Sequence, residues 1–426
     1  MKTTQLLAFI KDGGLDARLS DIYGKSNLDI QKARYAEAVK GFADTYGDTD
    51  VCLFSVPGRS EISGNHTDHN YGEVLAGSID LDIIAVSAKT DDGIIKIKSK
   101  GFPEDVVDIK SYTSPIESDY FTSKSLIAGM AKAFDDKGLN IGGYMAYTTS
   151  NVFKGSGLSS SAAFEVMVGN ILNYFYNDGK VDNVEIAKMA QFSENVFFGK
   201  PCGLMDQMAC AVGGFVHIDF FNPKEPIIDK IDFNLSKAGY ALCIINTGGN
   251  HADLNEDYAS VPAEMKSVAA HFGKGTLSEL DIHALMREIP ALREKVGDRA
   301  IMRAAHFFKE NDRVEVQAAA LKKNDLNTFL ELVKESGRSS FMFLQNVFTT
   351  KNIKEQGLSL ALCITDAVLS GTGAAWRVHG GGFAGTIQAF VPKMYVEMYR
   401  KAIDSAFGEG ACHVLRIRPY GAIQVY

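Results

Sequence analysis

The 426-residue sequence predicts an α+β chain of two domains, strand-rich in its first half and helix-rich in its second. Three observations carry that expectation. Single cores stop growing at about 250–300 residues, so a chain of this length divides. Short apolar runs bounded by Gly, Pro or Asp recur over 51–151, whereas 251–347 shows helical spacing with few turn signals. Strand-like runs then return at 385–391 and 413–419. The boundary is placed near residue 200, giving an N-terminal domain over 1–200 and a C-terminal domain over 201–426.

Taken in order, Leu28–Gly47 repeats apolar residues at helical spacing and ends at a glycine, which predicts a helix. The residues up to about 28 form an extension that no pattern places. VCLFSV at 51–56 reads as a strand stopped by Pro57-Gly58. Residues 79–100 alternate around Asp91-Asp92-Gly93, the signal of a hairpin. YMAYTTSN at 144–151 reads as a further strand, running into a glycine-serine turn and an apolar helix. After Pro201 come a short helix, a strand in GGFVHIDFFNP and another at 240–248.

A net charge of -8 argues against nucleic acid as the main partner, because phosphate backbones call for a basic face. The apolar run Leu6–Ile10 is too short for a secretory leader. No run approaches the ~20 residues of a membrane helix. The six cysteines (Cys52, Cys202, Cys210, Cys243, Cys363 and Cys412) contain no C-x-x-C pair. They read as reduced thiols, not zinc ligands or a disulfide framework. A cytoplasmic protein is the expectation.

Four stretches carry candidate chemistry. In KGSGLSSSAAFEVM (154–167), Gly155 and Gly157 let backbone N–H groups approach a ligand. Ser159, Ser160 and Ser161 precede a helix whose free N–H groups favour an anion. Phosphate is the natural occupant, although the Walker A pattern is absent; the plain alternative is a serine cap on a buried helix. In SENVFFGKPCGLMDQMACAVGG (193–214), Asp206 falls in the first turn of a helix. An acid is favourable there by ~0.3–1 kcal/mol whatever its function. Glu194 lies near the end of the preceding helix, where a solvated surface acid is the commoner outcome.

In WRVHGGGFAGTIQAF (376–390), three successive glycines mean that a backbone approaches something closely. The fourth stretch, VPGRSEISGNHTDHNYGEVLAG (56–77), sets His66, Asp68 and His69 side by side. Metal is disfavoured, because neighbouring residues of an extended turn point apart and no further His or Cys completes a shell. A sugar fits better, since carboxylate, amide and imidazole groups match hydroxyls through directional hydrogen bonds.

Together and in this order, the four stretches resemble the GHMP kinases, and within them the galactokinases. Galactokinases carry P-G-R-x-N-x-x-G-E-H-T-D-Y-N-x-G, against which Pro57–Gly72 reads PGRSEISGNHTDHNYG. The family loop P-x-G-x-G-L-S-S-S-A is matched from Gly155 onward. PCGLMDQMACAVGG resembles the stretch holding the acidic active-site residue, and GGGFAG the third family motif. The resemblance implies a two-domain α+β fold with ATP and sugar in the cleft between the domains. It also implies transfer of the γ-phosphate of ATP to the anomeric hydroxyl of galactose, with Mg2+ as cofactor.

Carried over residue by residue, Asp206 would contact the reacting hydroxyl with Arg59 beside it. Asn65, His66, Asp68 and Tyr258 would face the sugar, and Gly381 and Gly382 would close that side. Gly155, Ser156, Gly157, Leu158, Ser159, Ser160 and Ser161 would hold the phosphates of ATP. Ser161 and Glu194 would hold magnesium.

Three departures stand out: Asn65 replaces the family glutamate, His69 the usual tyrosine, and Phe153 the leading proline of the loop. An amide at 65 still bonds a hydroxyl but removes a negative charge, so a uronic acid such as galacturonate is no longer repelled. Galactose is the expected substrate, with galacturonate, N-acetylgalactosamine or arabinose as alternatives. A non-catalytic sensor of galactose and ATP is a second reading. A kinase of a non-sugar alcohol is a third, against which the polar row GNHTDHN speaks. Monomer and dimer are equally compatible with the sequence.

Overall fold

The computed structural model describes residues 1–152, 157–249 and 254–426. Two short helices, α1 (Thr3–Lys11) and α2 (Asp16–Tyr23), precede the predicted helix α3 (Leu28–Tyr46). On α3 the residues Gln31, Tyr35, Ala38, Val39 and Phe42 are buried, one stripe at helical spacing. The helix closes at Gly47, whose φ of 88° suits glycine. The extension before it is packed: Leu6, Ile10, Leu19 and Tyr23 share a core with Tyr35 and Phe42.

The first sheet takes β1 (Cys52–Ser63), β2 (Glu73–Lys89), β3 (Ile94–Ser99), β4 (Glu104–Asp108) and β5 (Tyr144–Ser150). Helices α4 (Ser123–Asp136), α5 (Ser160–Tyr176), α6 (Asn183–Phe192) and α7 (Met205–Val212) follow. Then β6 (Phe215–Asp219) and β7 (Ile227–Ile231) return to it, β6 pairing with the first part of β2. Side chains alternate across the sheet as the strand period requires. Leu53, Ile84 and Val86 face α1–α3, while Phe54, Val56, Ile83 and Ala85 face the helices after β4. The sheet therefore continues past residue 200, where the sequence placed the domain boundary.

Two expectations are corrected here. Pro57-Gly58 does not stop the strand: β1 runs through to Ser63, and the ladder shifts register between Pro57 and Arg59. Such an irregularity is where a residue without an N–H is tolerated. Nor do the runs flanking Asp91-Asp92-Gly93 form a hairpin. The turn is real, with Asp92 Oδ1 accepting from the N–H of Ile94 at 3.0 Å. Yet β5 lies between β2 and β3, antiparallel to the former and parallel to the latter.

The second sheet is antiparallel, with the order β11–β8–β10–β9. It is built from β8 (Tyr240–Asn246), β9 (Ala375–His379), β10 (Thr386–Pro392) and β11 (Cys412–Leu415). Between β8 and β9 come α8 (Asn255–His271), α9 (Ile282–Arg287), α10 (Ile289–Lys295), α11 (Asp298–Lys322), α12 (Leu326–Ser339) and α13 (Gly357–Leu369). Helix α14 (Val396–Phe407) precedes β11, and β12 (Ile423–Gln424) crosses back to pair with β1 of the first sheet. A shared core of Ile62, Leu75 and Phe215 with Leu242, Ile244, Phe329 and Phe390 joins the two sheets.

The helices before the first sheet are tied to it by one buried acid. Asp82, fully buried, accepts hydrogen bonds from Tyr23, Ser55 and Arg34, and from Arg418 Nη1 at 3.0 Å. The cysteines are free thiols. No helix among the described residues is long and apolar enough to cross a membrane.

Candidate active site

Arg59 leaves β1 just after its register shift, and its guanidinium grips the first turn of α7. Nε donates to Asp206 Oδ1 at 2.8 Å, and Nη2 forms an ion pair with the same oxygen at 2.7 Å. Nη1 donates to the carbonyl of Gly157, and the backbone N–H of Arg59 donates to the carbonyl of Leu158 at 3.1 Å. The Arg59 side chain is nearly buried. Burial opposes its charge, but Asp206 outweighs that and holds its pKa above the ordinary value.

Asp206 Oδ2 accepts from Ser159 Oγ. Ser159 is the N-cap of α5 and sits in the left-handed region at φ 59°. Two hydrogen bonds and an ion pair thus hold the Asp206 carboxylate, whose side chain keeps 35% exposure. A carboxylate offers about four acceptor positions, so capacity remains for a hydroxyl arriving from solvent.

The acidic partner expected at Glu194 is not a solvated surface residue. The chain continues from α6 into a π-helical turn, Ser193–Phe198, and Glu194 is 3% exposed inside it. Its Oε2 accepts from Gln207 Nε2 at 2.7 Å and its Oε1 pairs with Lys200 Nζ at 3.1 Å. The same Gln207 amide donates to Glu165 Oε2 at 3.2 Å, while Glu165 Oε1 has no hydrogen-bond partner among the described residues. Burial and the nearby Glu194 push the pKa of Glu165 well above that of an ordinary carboxyl group. Because Gln207 follows Asp206, one turn of α7 aligns the Asp206 carboxylate with this acidic pair.

The other end of the site is built from the β1–β2 connection and the glycine segment after β9. His66, at φ 60°, places its Nε2 2.9 Å from the Gly381 carbonyl, and His69 Nε2 lies 3.4 Å from its Nδ1. Burial lowers both imidazole pKa values, that of His69 to about 3, so the rings are neutral hydrogen-bonding groups. Asp68 Oδ1 accepts from the N–H of His69 at 2.9 Å. A Cβ on Gly203 would stand 2.9 Å from Asp68 Oδ2, so only glycine lets the approach to α7 pass this carboxylate. Burial, with Asp206 nearby, raises the Asp68 pKa.

Tyr258 donates to the Gly382 carbonyl at 2.8 Å. A side chain on Gly381 would lie 2.7 Å from the Tyr258 ring, and one on Gly382 would lie 2.0 Å from the Asn346 carbonyl. The close approach expected of the glycine run is therefore to Tyr258 and Asn346. Among the described residues, eight non-glycine residues take positive φ, and four of them, His66, Tyr71, Ser159 and Phe383, belong to these segments. Strain of this kind gathers where the surroundings over-determine a site.

Asn65 departs from expectation. It is fully buried, its Nδ2 donating to Glu61 Oε1 at 3.1 Å and the Gly380 carbonyl at 2.7 Å. Its Oδ1 accepts from Ser340 Oγ at 3.1 Å and Asn346 Nδ2 at 2.8 Å. All the capacity of the amide is used inside the protein, so this side chain does not face a ligand. Gly155 and Ser156 lie outside the described residues, as does Phe153. Ser160 and Ser161 open α5 and are half-buried. Sequence reasoning missed Gln207 and Glu165. The latter stands four residues after Ser161, one helical turn along the same face, which is the signal that was available.

Residues 125–214 match the family model of the GHMP kinases N terminal domain. Residues 40–89 match the galactokinase galactose-binding signature. The first span holds Ser159, Glu194 and Asp206; the second holds Arg59, His66 and Asp68. The chain is similar to the galactokinase of Clostridium tetani (strain Massachusetts / E88), 27% identical over 90% of this chain and 94% of that one. It is likewise similar to the galactokinase of Streptomyces coelicolor, 29% identical over 89% and 96%.

Among solved structures, Lactococcus lactis galactokinase complexed with galactose superposes with a TM-score of 0.75 at 24% identity, over 92% of this chain and 100% of that one. Methanococcus jannaschii mevalonate kinase superposes with a TM-score of 0.60 at 14% identity, over 86% and 98%. Residues 125–214 thus match the N-terminal domain of the GHMP kinases, and the chain as a whole has the α+β fold seen in these kinases. The chain also carries the galactokinase galactose-binding signature and is similar to galactokinases along most of its length.

Proposed function

We propose that this chain is a galactokinase, transferring the γ-phosphate of ATP to the anomeric hydroxyl of galactose. The observation that carries the reading is the Arg59–Asp206–Ser159 cluster at the N-terminus of α5, beside the segment matching the galactose-binding signature. Phosphoryl transfer passes through a loose transition state that asks mainly for positioning and charge stabilisation. Asp206 takes the sugar hydroxyl in its open acceptor position and receives the proton as the bond to phosphorus forms. Arg59 holds that carboxylate and keeps positive charge beside the transferring group. The free N–H groups of α5 behind Ser159 face the phosphates of ATP.

His66 and Asp68 take sugar hydroxyls, with Tyr258 and the Gly381-Gly382 backbone closing that side. The donor set fits magnesium: Glu194 is a buried carboxylate, Glu165 beside it has an unpartnered oxygen, and Ser161 offers a hydroxyl on the adjoining turn. Glu194 and Ser161 would hold the ion, which when bound neutralises charge on the β- and γ-phosphates. The test is ADP release by purified protein with ATP and magnesium on a panel of free sugars. Turnover is expected with galactose. Faster turnover with galacturonate, N-acetylgalactosamine or arabinose would reassign the substrate, and sugar binding without ADP from any of them would indicate a sensor.

A further inference from the structure

The asparagine at 65 is one half of an exchange. Where the galactokinase pattern P-G-R-x-N-x-x-G-E has Asn and then Glu, this chain has Glu61 and then Asn65. Carboxylate and amide have traded places, and in the structure they touch at 3.1 Å. A sealed ionic cluster surrounds them. Arg377, fully buried, donates to Glu61 Oε1 at 3.0 Å and lies 3.9 Å from Glu310. Glu310, also fully buried, accepts from Arg313 at 2.7 and 2.9 Å. His306, which donates to the Asn65 carbonyl at 2.9 Å, is neutral because burial lowers its pKa to about 4.

Two arginines therefore meet two glutamates, and the cluster is neutral. A glutamate at 65 without the change at 61 would set three acids against two arginines. An asparagine at 61 alone would leave one guanidinium uncompensated. Uncompensated buried charge is strongly destabilising, so the two positions can change only together.

The exchange also moves the acid relative to the ligand. Glu61 shares its face of β1 with Arg59, and its charge acts on His66, Arg59 and Asp68. Both Arg377 and Asn65 bond its Oε1, while among the described residues Oε2 accepts no hydrogen bond. Oε2 is also absent from the sealed, unpartnered atoms of the structure. The residue retains 6% exposure, whereas Asn65 has none.

We propose that Glu61, through Oε2, is the sugar-contacting and specificity-determining acid of this site, with Arg377 and Asn65 as its positioning residues. The proposal rests on the galactokinase reading above.

The experiment is steady-state kinetics of the full chain on galactose and on the singly deoxygenated galactoses, for wild type, E61Q, N65E, E61N and E61N/N65E, with melting temperatures alongside. E61Q should raise KM for galactose about tenfold or more, as for a lost charge-assisted bond, with kcat changed far less. That penalty should vanish for one deoxy sugar, the one lacking the hydroxyl that Glu61 holds. N65E and E61N should each melt below wild type, and E61N/N65E should recover most of the loss. An E61Q penalty equal on every deoxy sugar would overturn the sugar contact, and a double variant melting no higher than the singles would overturn the exchange. Wild-type protein inert on galactose would instead bring down the functional reading and the contact resting on it, while the melting order still judges the exchange.

Discussion

Asp82 and Asp206 are both held by arginine and by a serine hydroxyl, yet they differ in how fully they are saturated and buried. Asp82 is fully buried and receives donors from α2, α3, β1 and the segment before β12. Asp206 receives Arg59 and Ser159 and keeps 35% of its side chain exposed. The first carboxylate has no acceptor position to offer and serves the fold. The second is held by fewer groups and keeps acceptor capacity open to solvent. Saturation and exposure, more than the presence of an ion pair, separate a carboxylate that serves the fold from one free to take a ligand.

The comparison is broken most directly at Asp206. Both Asp206→Asn and Asp206→Ala should lower kcat by ~10²–10⁴-fold, the range for a lost general base, with ATP binding retained and melting temperature little changed. Near-normal kcat in either variant would remove this residue from the chemistry. Asp82→Asn should do the converse. It should destabilise the protein by ~3–5 kcal/mol, as for a broken buried pair, while the folded fraction keeps its kcat within a few-fold.

The pH dependence sharpens the same contrast. Burial alone would raise the Asp82 pKa, but Arg34 and Arg418 outweigh it and the folded value lies below the ordinary 3.8. The unfolded chain then binds the proton more readily. The contribution of Asp82 is therefore complete above that ordinary value and is lost as pH falls through the folded one. The melting-temperature gap between wild type and Asp82→Asn should narrow in acid below about pH 4; a constant gap would refute the charge as its cause.

Two smaller effects test the sugar side. Gly381→Ala puts a methyl 2.7 Å from the Tyr258 ring and should raise KM for galactose several-fold, in line with an overpacking cost of ~1–3 kcal/mol. Tyr258→Phe loses the bond to Gly382 and should cost only ~0.5–1.5 kcal/mol, read as a modest rise in KM at unchanged kcat.

What could be read from the sequence was what local pattern determines. Helix α3, strands β5, β8 and β10, and an acid in the first turn of α7 all follow from periodicity and turn residues. Partner choice did not follow. Alternation in β2 and β3 says that a face is buried, and it is silent on β5 coming between them. Pro57 looked like a strand end because an isolated strand cannot show that a register shift will absorb a missing N–H. Glu194 looked solvated because its partners, Gln207 and Lys200, meet it only through a π-helical turn that no period announces. Asn65 misled for a related reason: its neighbours Ser340, Asn346 and Gly380 lie some 275 or more positions away in the chain, and one residue read alone conceals a change shared with Glu61.

The crossing of residues 412–426 from one sheet to the other has a consequence for how the molecule comes into being. This one segment adds β11 to the second sheet and β12 to the first, and delivers Arg418 to Asp82 on the way. Roughly 190 residues separate β7 from β12, about 10–40 s of ribosome time at 5–20 residues per second. During that interval the nascent first sheet has the edge of β1 uncovered and the Asp82 carboxylate short of a counter-charge. Completion of the early half thus waits until residues 412–426 have been made, and a chain that stalls before residue 412 emerges with both sheets unfinished.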